Sequence, residues 1–276
     1  MNNSEPTKFK GSTYVLKAVL FCIVFTGLFI VLSFTKSFIP EKFERLAHGV
    51  IGTTAALLTT FLFLFVEKKK FADIGLAFNK KTIAKFFFGV LIGTVLSGIM
   101  SLSVIYFSDF KLELNASSNL WRFILCTMFY IPLAFMEELG FRAYPLAMVN
   151  RGIGIRFGIL LTSILFALYH IANGWTIQDS FLGAGVWGIL FGLAAVYSKG
   201  IAMPTGIHFA ANITTDAFGT TTDSYNIWVL KFNDGSAIVN YQSSPLTTIV
   251  PQIALLLVGI ISMEYYLMTK KTAGIQ

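Results

Sequence analysis

Charge is scarce in this chain. Only 13% of its residues are Asp, Glu, Lys or Arg, while hydrophobic residues make up 55%. A soluble domain carries about 25% charged residues, so a conventional soluble globule is excluded. Nor do 276 residues leave room for a second, soluble domain beside the apolar runs. Cysteine is nearly absent. Cys22 and Cys126 both lie in apolar segments without a polar neighbour and read as small core residues, so no disulfide framework is implied. There are three histidines. No G-x-S-x-G and no H-E-x-x-H occurs, and neither cysteine pairs with a histidine in sequence. Internal repeats and low-complexity stretches are also lacking.

What is present is a series of long apolar runs. Spans are expected over about 15–34, 48–66, 83–107, 120–149, 157–171, 182–197, 201–217 and 248–268. The first is too long for a signal-peptide core and lacks a small-residue cleavage site, so it reads as a membrane helix. The fourth is expected to bend near Pro145. The fold class is therefore an all-α, polytopic integral membrane protein with about eight transmembrane helices, in a single membrane domain over 1–276. Residues 71–76 look like a short interfacial element, and Trp121, Trp175 and Trp228 like interfacial anchors. A long polar loop is expected over about 220–245.

The net charge of +7 is explained by topology, with no nucleic acid called for. Lys8, Lys10, Lys17, Lys68, Lys69, Lys70, Lys80, Lys81, Lys85, Arg142, Arg151, Arg156, Lys199, Lys270 and Lys271 fall on the side of the termini. Lys36, Lys42, Arg45, Lys111, Arg122 and Lys231 fall on the other: fifteen against six. The positive-inside rule then makes both termini cytoplasmic in a cell membrane, with anionic lipid as the partner of the basic loops.

Against this background Met136-Glu137-Glu138-Leu139-Gly140-Phe141-Arg142 stands out, because it closes a run that is apolar from 123 to 135 apart from Thr127. Ionisable groups at such depth are costly and usually functional. Glu138 and Arg142 are spaced i,i+4 and can pair. Glu137 points about 100° away and is left free for other work. His170 and His208 also lie in apolar segments, and His48 sits at a span's start, where it reads as interfacial. Counted from the expected cytoplasmic surface, Glu137 lies roughly 18 Å deep, His170 roughly 21 Å, His208 roughly 10 Å and Asn212 roughly 16 Å. One site on three helices is thus allowed. A carboxylate and an imidazole can hold and deprotonate a water. A second imidazole and an amide one turn away can donate to an oxyanion.

These residues resemble the CPBP intramembrane proteases, the superfamily of the type II CAAX prenyl endopeptidases and of the bacteriocin-processing and self-immunity (Abi) proteins. The motif Glu-Glu-x-x-x-Arg is Glu137 to Arg142, Phe-x-x-x-His is Phe166 to His170, and His-x-x-x-Asn is His208 to Asn212. All three occur in the family's order, each on its own apolar segment, within about 120–217. Ala143 stands where the family often has Gly.

The resemblance implies an intramembrane endopeptidase with a cavity open to the cytoplasm. In it Glu137 is the general base, His170 helps hold the water, His208 and Asn212 form the oxyanion site, Glu138 and Arg142 support, and Phe166 lines the cavity. It implies a peptide or protein substrate, either a prenylated C-terminus or a leader or signalling peptide. Two histidines with a glutamate also make a zinc set, but Asn is a poor zinc ligand, so a metal-free site without cofactor is the expectation and zinc the alternative. The rival readings are a non-catalytic immunity or scaffold protein of the same fold and a proton-coupled transporter. The lack of an inverted repeat weighs against the transporter.

Overall fold

The computed structural model describes residues 7–219, 225–232 and 245–272. Long helices dominate because a backbone in hydrocarbon must satisfy its own hydrogen bonds. They are α1 (Thr7–Ser33), α2 (Glu44–Glu67), α3 (Thr82–Tyr106), α4 (Leu120–Thr127), α5 (Tyr130–Glu138), α6 (Tyr144–Ile153), α7 (Ile155–Ala172), α8 (Val186–Ser198), α9 (Ala202–Ala217) and α10 (Pro245–Thr272). Two π-helical segments intervene, Leu139–Ala143 between α5 and α6 and Asp179–Gly185 before α8. A two-stranded antiparallel sheet joins β1 (Phe110–Leu114) to β2 (Trp228–Phe232), with Leu112 opposite Leu230. The chain is an all-α, multi-pass membrane protein. Apolar side chains such as Leu16, Phe65, Leu91 and Leu160 face outward, as lipid contact requires.

Among the described residues seven helices are long and apolar enough to cross a membrane, where about eight spans were expected. The difference lies in α9. Its 16 residues reach about 24 Å, less than a hydrocarbon core of about 30 Å, yet it runs from the terminal to the distal end of the bundle. It packs inside, against α3, α5 and α8. Small residues let it come close: a Cβ on Gly89, Gly93 or Gly206 would run into backbone atoms of Met203, Ile207 or Phe86, and such small-residue contacts are how membrane helices approach one another. The expected bend near Pro145 is also displaced. Pro145 lies in the first turn of α6, where its missing N–H costs nothing, and the irregularity is the π-helical Leu139–Ala143 before it.

The polar segments differ from expectation too. The loop after α3 contains β1, and the described part of the 220–245 loop contains β2. Residues 220–224 and 233–244 of that loop lie outside the described residues. The interfacial element is present as a short 3-10 turn, Phe71–Ile74, with Ile74 buried. Trp121 is exposed at the start of α4, as an anchor would be, but Trp228 sits in β2.

The helix ends define two faces. The terminal face carries the start of α1 and the end of α2, joined where Lys17 Nζ meets Glu67 Oε1 at 2.6 Å. It also carries the end of α10 against the start of α7, where Arg156 and Glu264 pair at 2.6 Å. Lys85 Nζ donates to the Ser198 carbonyl across the same face. The distal face carries the end of α1 and start of α2, where Lys36 Nζ donates to His48 Nδ1 at 2.6 Å. His48 is thus part-buried and partnered. The hairpin and the ends of α7 and α9 lie on this face as well. Between the faces sits a core of Phe21, Phe25, Met136, Phe141, Tyr144 and Phe166.

Candidate functional site

The paired glutamates end α5, and the widened turn Leu139–Ala143 follows directly. Such π-bulges recur at functional sites. Gly140 lies against the Phe25 ring, where a Cβ would approach to 2.6 Å, so this turn is sunk into the core. Glu138 is fully buried, and Glu137 and Arg142 are 6% and 3% exposed. The expected pair forms: Arg142 Nε lies 3.5 Å from Glu138 Oε2. The guanidinium also sits over the Phe166 ring, 4.2 Å from its centroid, with Phe191 on a further side. It is a desolvated cation held by one carboxylate and aromatic faces.

His208, on α9, is gripped by both glutamates. Its Nδ1 lies 2.9 Å from Glu138 Oε1 and its Nε2 lies 3.4 Å from Glu137 Oε2. The ring stacks on Phe191 at 4.6 Å, which fixes its plane. Glu137 is therefore not free, as its angular separation from Glu138 suggested. The imidazole it touches is that of His208.

His170, on α7, is set differently. Its Nδ1 lies 2.9 Å from the Phe166 carbonyl. A carbonyl only accepts, so Nδ1 carries the proton and Nε2 presents the lone pair of the neutral ring. Trp175 and Phe166 each pack edge-on against it, with centroids 4.5 Å away.

Glu137, His170, His208, Asn212 and Phe166 line one cavity of about 380 Å³, so the structure brings the three motifs to one space. Glu138 and Arg142 stand behind its wall, as supporting residues would. Among the described residues no hydrogen bond engages the Asn212 amide, which leaves it available inside the cavity.

Sequence reasoning missed Tyr130, Asp216, Trp175 and Trp187, which also line the cavity. Tyr130 donates to the buried Asp216 and accepts from Arg45 at 3.0 Å. A signal existed for two of them. Asp216 continues the four-residue stripe of His208 and Asn212, and Tyr130 lies two turns before Glu137 on its face. Trp175, read as an anchor, is half exposed at the rim and packs on His170.

The cavity reaches the distal face. Tyr130 starts α5, Trp175 lies just beyond α7, Asp216 is next to last in α9 and Gln252 is near the start of α10. Toward the terminal face stand Phe141, Tyr144 and Met148, all fully buried, and a separate cavity of about 280 Å³ lined by Phe135, Leu139, Lys199 and Ile201, which shares no lining residue with this one. Mouth and termini thus lie at opposite ends of the bundle.

The zinc alternative can be tested on the donor set. Nδ1 of His208 faces Glu138 and Nδ1 of His170 a carbonyl, so the Nε2 atoms are the nitrogens a metal would take. Among the described residues no three His, Cys, Asp or Glu side chains converge as metal ligands. Asn212, which lines the cavity beside the two histidines, is a poor zinc ligand.

No curated protein matches the chain. A family model described as type II CAAX prenyl endopeptidase Rce1-like matches residues 117–214. That stretch supplies Glu137, Glu138, Arg142, Phe166, His170, His208 and Asn212, so the resemblance carried by the three motifs holds for the part of this chain that builds the cavity, which is similar to the Rce1-like CAAX endopeptidases.

Proposed function

We propose that the cavity hydrolyses peptide bonds as a metal-free, glutamate-activated intramembrane endopeptidase. The observation that carries this reading is the convergence of Glu137, His170, His208 and Asn212 on one cavity. Glu137 takes a proton from a water that also donates to the lone pair on His170 Nε2. The hydroxide attacks the carbonyl carbon of the scissile bond. The resulting oxyanion accepts from the Asn212 amide and from His208 Nε2–H. For Nε2 to donate while Nδ1 donates to Glu138, the ring carries both protons. Glu137, Glu138, Arg142 and His208 then form a set of two anions and two cations, electrically neutral inside the membrane. Collapse of the tetrahedral intermediate returns the proton from Glu137 to the leaving amine. Glu138 fixes the plane and protonation of His208, and Arg142 keeps Glu138 ionised.

The substrate is a peptide segment held extended between Trp175 and Trp187 toward the rim and the oxyanion donors at the floor. A prenylated C-terminus and a leader or signalling peptide are the two candidates. The test is cleavage of a panel of farnesylated and unmodified peptides by protein purified in detergent, with Glu137→Gln and His170→Ala as controls and a chelator arm. Cleavage that survives chelation and vanishes in both variants is the expected result. Loss of activity on chelation, restored by zinc, would overturn the metal-free mechanism. Equal cleavage by Glu137→Gln would overturn the reading itself.

A further inference from the structure

We infer that the peptide cut by this site reaches it from the extracytoplasmic surface, so that cleavage follows export of the scissile segment across the membrane. The inference rests on the endopeptidase reading and combines two observations.

The first is the direction of the cavity. His170 lies two residues from the end of α7, and Trp175, just beyond that end, is 49% exposed and lines the cavity. Asp216 and Tyr130 bring the lining to the distal ends of α9 and α5. On the other side the aromatic and Met layer of Phe141, Tyr144 and Met148, backed by Phe21 and Phe25, has no exposed surface. The cavity on the terminal face, which reaches Leu139, shares no lining residue with this one, so a peptide coming from that face would have to part close-packed side chains, which interiors resist strongly. From the distal face it meets an open, partly polar mouth.

The second is the placement of charge relative to that mouth. Among described side chains, the terminal face carries twelve of the cations, including Lys68, Lys69, Lys70, Lys80, Lys81 and Lys199, against Glu67, Asp73 and Glu264. The distal face carries only Lys36, Lys42, Arg45, Lys111, Arg122 and Lys231. It balances them with Glu41, Glu44, Asp109, Glu113, Asp179 and Asp216. Loop Lys and Arg stay on the cytoplasmic side during insertion. That places the terminal face inside and the mouth outside. The substrate is then a peptide presented at the outer surface, and a cytosolic prenylated C-terminus is not one.

Two measurements in the full-length protein test this. In a Cys22→Ala/Cys126→Ala background, Ser117→Cys marks the distal face and Lys80→Cys the terminal face; both parent side chains are exposed. A membrane-impermeant maleimide added to intact cells is expected to label Ser117→Cys, and to label Lys80→Cys only after permeabilisation. The opposite pattern would overturn the inference, and neither outcome depends on activity. In sealed vesicles, a membrane-impermeant quenched peptide that the purified protein cleaves is expected to be cut at least about tenfold faster by right-side-out than by inverted preparations, a difference of about 1.4 kcal/mol in effective barrier. Faster cleavage by inverted vesicles would overturn the access route even with the expected labelling. Equal cleavage by purified wild type and Glu137→Gln would instead overturn the endopeptidase reading while leaving the orientation standing.

Discussion

Glu137 Oε2 lies 3.4 Å from His208 Nε2, while the neighbouring Glu138 holds Nδ1 of the same ring at 2.9 Å. Two consecutive carboxylates thus grip one imidazole from opposite edges. Consecutive residues on a regular helix point about 100° apart, so His208 sits in the wedge between them. This contact ties the first motif to the third, and it sets how each of the site residues is expected to respond to change.

Glu137→Gln keeps the shape of the side chain and removes its basicity. It is expected to lower kcat for peptide cleavage by about 10²–10⁴-fold, the range for loss of a general base, with little change in KM. Steady-state kinetics on one peptide would measure it. A loss of only a few-fold would remove Glu137 from the role of base.

Asn212→Ala removes one of the two oxyanion donors of the proposed mechanism. The expected loss is about 10²–10³ in kcat, again without a matching rise in KM. Asn212→Asp is expected to be at least as damaging, because it directs an anion at the developing negative charge. Recovery of activity in the Asp variant would contradict the assignment.

Arg142→Met removes the buried cation beside Glu138 and leaves that carboxylate to His208 alone. Breaking a buried pair from one side costs about 3–5 kcal/mol, so the variant is expected to melt well below wild type in detergent. Glu138→Gln combined with Arg142→Met removes both charges and is expected to regain most of that stability but not the activity. If the double variant melts as low as the single one, Arg142 matters for packing on Phe166 more than for charge.

Gly206→Val places side-chain atoms into the Phe86 backbone at the α3–α9 crossing. It is expected to destabilise by about 1–3 kcal/mol and to lower activity by moving His208 and Asn212. Gly98→Ala, which meets open space, is the control and is expected to leave both unchanged. Thermal melts and kcat, read together, would show whether α9 is held in place at this crossing.

Outside the membrane, Glu113 accepts from Lys231 and Lys111, and these contacts, that of Lys231 first, hold its carboxyl below the ordinary carboxylate range. A depressed folded-state pKa gives support that is complete above the unfolded value, about 4.3, and is lost as pH falls through the lowered one. Amide exchange in β1 and β2 is therefore expected to show protection that is constant above that value and falls below it. Glu113→Gln is expected to flatten the dependence.

The membrane class, the positions of most long helices and the polar residues that meet at the cavity were legible in the chain. Apolar length alone marks a span, and an ionisable group inside one is conspicuous because burial there is costly. The spacings within each motif were legible too, since the helical period fixes which residues share a face. The hairpin was less so. Its strands are five residues each and lie more than a hundred residues apart, so neither carries a strong local signal.

What lies between helices was decided only by tertiary structure. Whether Glu137 meets His170 or His208 depends on the rotation and depth of α7 and α9 around α5. The small residues at the α3–α9 crossing and the aromatic layer around Phe141 and Phe166 help set these. The same packing carries the cavity to the face opposite the termini and brings Tyr130 and Asp216 into its wall. The sequence by itself determined which groups are present and how they are spaced along each helix, because helical periodicity is local. Which groups touch, and to which side they open, was determined by close packing between helices, because no local period encodes the register of one helix against another.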